Sequence, residues 1–362
     1  MNKIIISMTL LLSCASAFAQ QNDKLLQTLK SELSYSMEQL QKQPDHKPYY
    51  MSMRVEDKYT LVLKSSFGNK NGEEEGRVRL FSPQIRIGSK QLDNFKYTTQ
   101  GTQQYQGMSV SQPTMLPLDD NATEGIRAAI WKETNSRYKY ASQVFDEAKT
   151  RIATTTANED KAACFSDAPV EKYYDASIDN RFYHIDKADW LKKLNEISAA
   201  FKAEPELLGG EASLTYQVSR VYFVNTEGTE VVQNRICGRI MLSTQAVAAD
   251  GMSLPLNKDY LAYDLDSLPS VEKMVTDAKD MVKRVLALRN APVADPYTGP
   301  AMLSGEASGV FFHEIFGHRL EGHRLKEGGE TFKKMIGQLV LPKEFQVYCD
   351  PTLRHYAGTD LN

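Results

Sequence analysis

Two histidines five residues apart, with a glutamate directly after the first, place the tightest constraint on how this chain can fold. The run is His313-Glu314-Ile315-Phe316-Gly317-His318, an H-E-x-x-x-H. Neutral imidazoles are ordinary zinc ligands, and a carboxylate beside one of them can act as general base for a hydrolysis. On an ideal α-helix, residues four apart lie ~40° apart around the axis, and residues five apart ~140°. His313 and His318 therefore cannot share a metal on a regular helix. A one-residue π-bulge would return them to one face, and such bulges favour functional sites. Gly317 stands just before His318, where a distorted backbone costs least. The preceding Ser308-Gly309-Val310-Phe311-Phe312 is apolar enough for a buried helix, with Ser304 or Ser308 to cap its start. The alternative is a pair of unrelated histidines, since short motifs also match by accident. Against it, four of the six histidines (His313, His318, His323 and His355) fall in the last fifty residues.

The other end of the chain reads as an address. Lys3 supplies a positive start, residues 4–12 are apolar, and Ala17-Phe18-Ala19 is a small-residue cleavage site. Residues 1–19 are thus expected to be a signal peptide cut after Ala19, leaving Gln20 first in an exported, periplasmic protein. The competing reading is a lipoprotein signal at Leu11-Leu12-Ser13-Cys14, where Leu12 fits poorly. The apolar run is too short to span a bilayer, and no longer one follows. A net charge of −3 with interspersed signs gives no reason to expect nucleic acid. The Glu73-Glu74-Glu75 run reads as a solvated loop. Beyond the signal, Cys164, Cys237 and Cys349 are an odd number with no C-x-x-C pair, so a disulfide framework does not hold this protein together.

Periodicity organises what lies between. Residues 23–41 form an amphipathic helix with Leu25, Leu26, Leu29, Leu33, Met37 and Leu40 on one face and Asn22 or Asp23 as cap. Strands are expected over 49–55, 59–65 and 77–87, with a loop at 67–76. A loop over 98–122 leads to a long helix from Thr123 to about Arg151. Asp186 caps another helix, and 212–224 and 229–247 form a hairpin around Thr226-Glu227-Gly228. Pro269 opens a helix running to Arg289. The Pro-rich 290–300 is the expected domain boundary. It separates an α+β region over 20–292, divisible at about 20–100 and 120–292, from a segment 297–362. In that segment short strands are expected at 301–303, 338–341 and 345–349.

Gly305 to Gly322 reads G-E-A-S-G-V-F-F-H-E-I-F-G-H-R-L-E-G. This closely resembles the TldD/PmbA family of metallopeptidases, specifically its metal-bearing TldD-type half. His313, Glu314, Gly317, His318, Leu320, Glu321 and Gly322 fall on the family pattern. The turn Val224-Asn225-Thr226-Glu227-Gly228 is similar to the family's N-S-E-G turn, and the opening helix plus sheet fits its first domain. The resemblance implies an α+β fold: a helix-plus-sheet region followed by the start of a β-rich metallopeptidase domain. It implies zinc held by His313 and His318, with Glu314 as base. It implies extended or unfolded peptides as substrates, and a homodimer or a heterodimer with a PmbA-like subunit. Three departures stand out. The family's third ligand is a cysteine far beyond the motif, expected past Asn362, and Cys349 lies in the wrong place for that role. His323 stands where an acidic residue usually follows Glu321-Gly322. Familiar members are cytosolic, whereas this chain carries an export signal.

Two further roles stay open on the sequence. Glu321, three residues past His318, either orients a ligand imidazole or sits on a solvated helix end. His323 and His355 read as surface residues. The rival to a peptidase is a non-catalytic binding or scaffolding subunit with an incomplete metal site.

Overall fold

A computed structural model describes residues 20–96, 104–105, 108–109, 113–154, 163–202, 204–321, 334–350, 352–356 and 359–360. Residues 1–19, expected as an export signal, together with Gly322 and His323, lie outside them. The fold mixes helices with antiparallel sheet. The described residues of Met1–Lys96, Val110–Thr154 and Ala163–Ala291 make one compact unit, and those of Tyr97–Ser109, Thr155–Ala162 and Pro292–Asn362 a second.

The first unit is built on a seven-stranded sheet, four strands of which run to 18 or 19 residues. Its strands are β1 (Pro48–Ser66), β2 (Asn69–Ile87), β3 (Thr114–Met115), β4 (Lys172–Tyr174), β5 (Leu207–Asn225), β6 (Glu230–Val247) and β7 (Ser253–Ala262). Their order is β3-β2-β1-β5-β6-β4, with β7 also paired to β6. All pairings are antiparallel except β4 on β6. Four helices belong to this unit: α1 (Lys24–Gln41), α2 (Thr123–Thr154), α3 (Lys187–Ala199) and α4 (Val271–Arg289). Asp23 caps α1 by accepting from Leu26 N at 3.0 Å, and Asp186 caps α3 by accepting from Asp189 N at 3.0 Å. Ser270, just after the expected Pro269, caps α4.

Side chains alternate along a strand, so odd-numbered residues of β1 share one face. That face carries two separate apolar cores. Met51, Met53 and Val55 pack with Leu25, Leu26 and Leu29 of α1, Ile126 and Ile130 of α2, and Tyr222 and Val224 of β5. Tyr59, Leu61 and Leu63 pack with Leu194 and Ile197 of α3, Met274, Ala278 and Met281 of α4, and Leu214 and Tyr216 of β5. Between the two cores, on the same face, sits Asp57, only 5% exposed. It is directly opposite Arg79 on β2 and Arg220 on β5. Arg77 grips it with Nε at 2.7 Å and Nη2 at 3.0 Å, and Arg79 donates from Nη2 at 2.6 Å. Arg220 is satisfied by the carbonyls of Ala176 and Asp175, Asn234 Oδ1, Tyr222 Oη and Asp23 Oδ2. Asp23 thus caps α1 with one oxygen and meets this polar belt with the other.

The belt explains one departure from expectation. Two strands at 49–55 and 59–65 are in fact the single β1, because Glu56-Asp57-Lys58 looks like a break in sequence but lies within the sheet, with Glu56 paired to Arg54 and Asp57 to Arg77 and Arg79. Nor is 67–76 a loop. The hairpin turns on Phe67 and Gly68 alone, with φ of 48° and 80°. Positive φ at both central residues matches the right-handed twist of the flanking strands. Glu73, Glu74 and Glu75 then lie in β2 opposite Leu63, Val62 and Leu61. Charges on an outer strand discourage edge-to-edge pairing with other chains. Within 98–122, expected as a loop, β3 and a two-residue ladder of Gln104–Tyr105 with Met108–Ser109 are formed.

An ion cluster docks α4 onto β7. Lys273 Nζ lies 2.6 Å from both oxygens of Asp277, Lys258 Nζ 3.2 Å away, and Tyr260 Oη donates at 2.6 Å. Burial opposes ionisation of Asp277, but these three donors outweigh it and bring its pKa down to about 2. The folded value lies below that of the unfolded chain, ~3.9, so the stabilisation is complete above pH ~4 and is lost as pH falls towards 2. The stability deficit of Asp277→Asn relative to wild type should therefore shrink as pH falls across that window. Urea denaturation at pH 5 and pH 2.5 checks it, and an undiminished difference at pH 2.5 would show that the cluster is not what holds the carboxylate ionised.

In the second unit the described residues contain one α-helix, α5 (Gly305–Ile315), a 3₁₀ turn at Gly317–Leu320, and two two-residue ladders, Gln104–Tyr105 with Met108–Ser109 and His355–Tyr356 with Thr359–Asp360. The strands expected at 301–303, 338–341 and 345–349 are not formed. Their apolar residues have no ladder partner among the described residues, and a strand needs neighbours to satisfy its backbone. Leu339, Phe345, Val347 and Tyr348 are instead exposed. Among the described residues, no helix is long and apolar enough to cross a membrane.

Candidate metal centre

Ser304 starts α5: its hydroxyl accepts from Ala307 N at 3.3 Å, and its carbonyl takes the first helical bond, from Ser308 N, at 2.8 Å. None of the helix's eleven residues is buried. His313 and Glu314 lie in its last turn. The helix ends at Phe316, which is buried and has φ −122° and ψ −52°, outside the helical basin. Phe316 N still bonds Phe312 O in the α pattern, whereas Arg319 N bonds Phe316 O in the 3₁₀ pattern. The irregularity that the five-residue spacing demands is thus an α-to-3₁₀ break and not a π-bulge. Gly317 is not in the left-handed region, and a Cβ there would make only ordinary contacts, with Phe312 O at 3.8 Å and His313 Nδ1 at 4.0 Å. The distortion sits one residue earlier, on Phe316.

The break turns His318 back towards His313. Their ring centroids are 4.6 Å apart, edge to face. Glu314 reaches both rings, with Oε1 at 3.9 Å from His313 Nε2 and Oε2 at 3.7 Å from His318 Nε2. One ligand atom from each of His313, Glu314 and His318 lies within 4.8 Å of the others. Tetrahedral zinc with ligand bonds of 2.0–2.2 Å sets its ligands about 3.3–3.6 Å apart. The two Glu–His separations already approach that value, and exposed side chains at a helix end can close the remainder by rotation. Two imidazole nitrogens and a carboxylate oxygen are also the donor types that zinc takes. The residues present fit a zinc-like cation.

Behind His318, Nδ1 is 2.7 Å from Glu321 Oε1. The sequence left this glutamate between two readings; the structure places it on the ring. Cys349 is exposed, forms no disulfide and does not belong to the group. Cys164 and Cys237 form no disulfide either. His355 stands in the short ladder, opposite Asp360. The site is open: the side chains of His313 and Glu314 are 64% and 61% exposed.

Comparison with known proteins bears on the same segment. Residues 296–361 match the model of the PmbA/TldA metallopeptidase C-terminal domain. No curated protein matches the chain in sequence. Among solved structures, TM0727 from Thermotoga maritima MSB8 shares 10% identity over 74% of this chain and 50% of its own length, with a TM-score of 0.39. BT3649 from Bacteroides thetaiotaomicron VPI-5482 shares 8% over 73% and 50%, with a TM-score of 0.44. TldE from Thermococcus kodakarensis shares 13% over 72% and 47%, with a TM-score of 0.40. The chain spans about half the length of these solved proteins. The matched segment contains His313, Glu314 and His318, so in the part of the chain that carries them it is similar to the C-terminal domain of the PmbA/TldA metallopeptidases.

Proposed function

We propose that this protein is an exported zinc peptidase of the TldD type, acting on extended or unfolded peptides. The observation that carries the reading is the convergence of His313, Glu314 and His318 at the break between α5 and the 3₁₀ turn. His313 and His318 would hold the zinc ion. Bound there, zinc would supply Lewis acidity towards a peptide carbonyl. Glu314 takes a proton from the attacking water and returns it to the leaving amine. Export rests on the signal-like residues 1–19, which predict a mature protein beginning at Gln20. The partner is a second copy or a PmbA-like subunit, as the family resemblance implies.

A second reading, a non-catalytic subunit, is favoured by one feature. Among the described residues the group has only two histidines, and two of its three side chains, His313 and Glu314, are more than half exposed. Metal removal separates the two. The full protein should cleave an unfolded casein substrate, lose that activity to a chelator and regain it with stoichiometric zinc. Casein cleavage that survives exhaustive chelation would overturn the zinc reading, and absence of cleavage with zinc fully bound would favour the non-catalytic subunit.

A further inference from the structure

We infer that Glu321 is a positioning residue: it holds His318 in the Nδ1–H tautomer and so presents Nε2 to the metal. The inference deepens the zinc reading above and rests on it. Its ground is local geometry. In a 3₁₀ helix residues three apart eclipse one another, so the 3₁₀ turn at Gly317–Leu320 lines up position 321 with position 318. Glu321 is the residue that closes this turn, and its Oε1 lies 2.7 Å from His318 Nδ1. That is a charge-assisted hydrogen-bond distance. The opposite edge of the same ring, Nε2, is the edge that faces Glu314, at 3.7 Å.

The two carboxylates therefore divide the imidazole between them. A neutral imidazole has one N–H and one lone pair, and the hydrogen bond made by one nitrogen decides which is which. With Glu321 accepting from Nδ1–H, the lone pair resides on Nε2, within the cluster of ligand atoms. A ring turned over would bury the lone pair against a carboxylate and aim an N–H at the metal. Glu321 also limits rotation of a ring that is only one-third exposed. One backbone event, the change from α to 3₁₀ at Phe316, thus brings His318 to His313 and supplies the group that orients it. His313 is the less constrained ligand, at 64% side-chain exposure.

The experiment uses the full chain, with Zn²⁺ as the probe in competition with a chromogenic chelator, and nitrogen-edge NMR of the histidines in the metal-free protein. Glu321 is partly exposed, so Glu321→Ala should leave the fold intact, which circular dichroism verifies. Loss of such a partner costs a metal site about 10–100-fold in affinity. We expect that weakening for Glu321→Ala, and an intermediate loss for Glu321→Gln, whose carbonyl can still accept from Nδ1–H. In the metal-free protein His318 should show the Nδ1–H tautomer, and Glu321→Ala should shift it towards Nε2–H while leaving His313 unchanged. Unaltered zinc affinity together with an unaltered His318 tautomer in Glu321→Ala would overturn the inference. A different pattern would strike the zinc reading itself: His313→Ala and His318→Ala binding zinc as tightly as wild type. The tautomer measurement still decides the role of Glu321 in that case, because it needs no metal.

Discussion

Glu314→Gln is expected to lower kcat/KM on an unfolded peptide by about 10²–10⁴-fold, the usual contribution of a positioned general base, while zinc remains bound. The exchange keeps the size of the side chain and removes its ability to take a proton. It leaves His313 and His318 in place, 4.6 Å apart between ring centres. Activity and zinc content, measured on the same preparation of the full protein, give the answer. Zinc lost along with activity would make Glu314 a ligand instead of a base, a role its 3.7 and 3.9 Å approaches to the two rings would also permit. Unchanged activity would place the base elsewhere.

The second large effect concerns stability. Asp57→Ala should destabilise the protein by about 3–5 kcal/mol, the cost of breaking a buried ion pair from one side. Arg79 is 3% exposed and would face a cavity where Asp57 stood, holding only Pro117 O and the carboxylate of the half-exposed Asp120 at 2.8 Å. Arg77, which is more exposed, can turn to solvent and contributes less. The urea midpoint of the purified variant measures the effect. A loss below ~1 kcal/mol would mean that water reaches the belt and solvates Arg79. Replacing Asp57 and Arg79 together by apolar residues should recover part of the loss, since well-packed apolar groups often match a buried pair.

Much of this architecture is legible in the residues, and the failures share a cause. α1 is readable because Asp23 and the leucine stripe are local signals, and the structure puts both where the 3.6-residue period places them. β1 reads as two strands because its buried face carries a carboxylate at position 57, and nothing near it in sequence announces the arginines at 79 and 220 that sit opposite. The short tail strands fail for the converse reason. Val347 and Tyr348 have strand propensity, but propensity alone supplies no ladder partner. At the site, the five-residue spacing of His313 and His318 requires a broken helix on geometry alone. It cannot tell a π-bulge from a 3₁₀ turn, because that choice lies in the backbone of Phe316, a residue with no special propensity for either. Glu321 could be named from its spacing, and only its distance to Nδ1 separates an orienting group from a solvated one.

The long strands carry a consequence for how the chain reaches this structure. Each of β1 and β5 belongs to two cores. The second half of β1, at Tyr59, Leu61 and Leu63, is packed by helices more than a hundred residues further on, at Leu194 and Met274. The second half of β5, at Tyr222 and Val224, is packed by α1, at Leu25 and Leu26, near the start. Neither core can be completed by its own stretch of chain. Loop-closure entropy has to be met before these contacts form, which makes folding slow and dependent on the whole sheet being present. A nascent chain released after β2 would hold the first four leucines of α1 and half of a sheet face with no partner from β5, an exposed state that persists until residue 224 has been made.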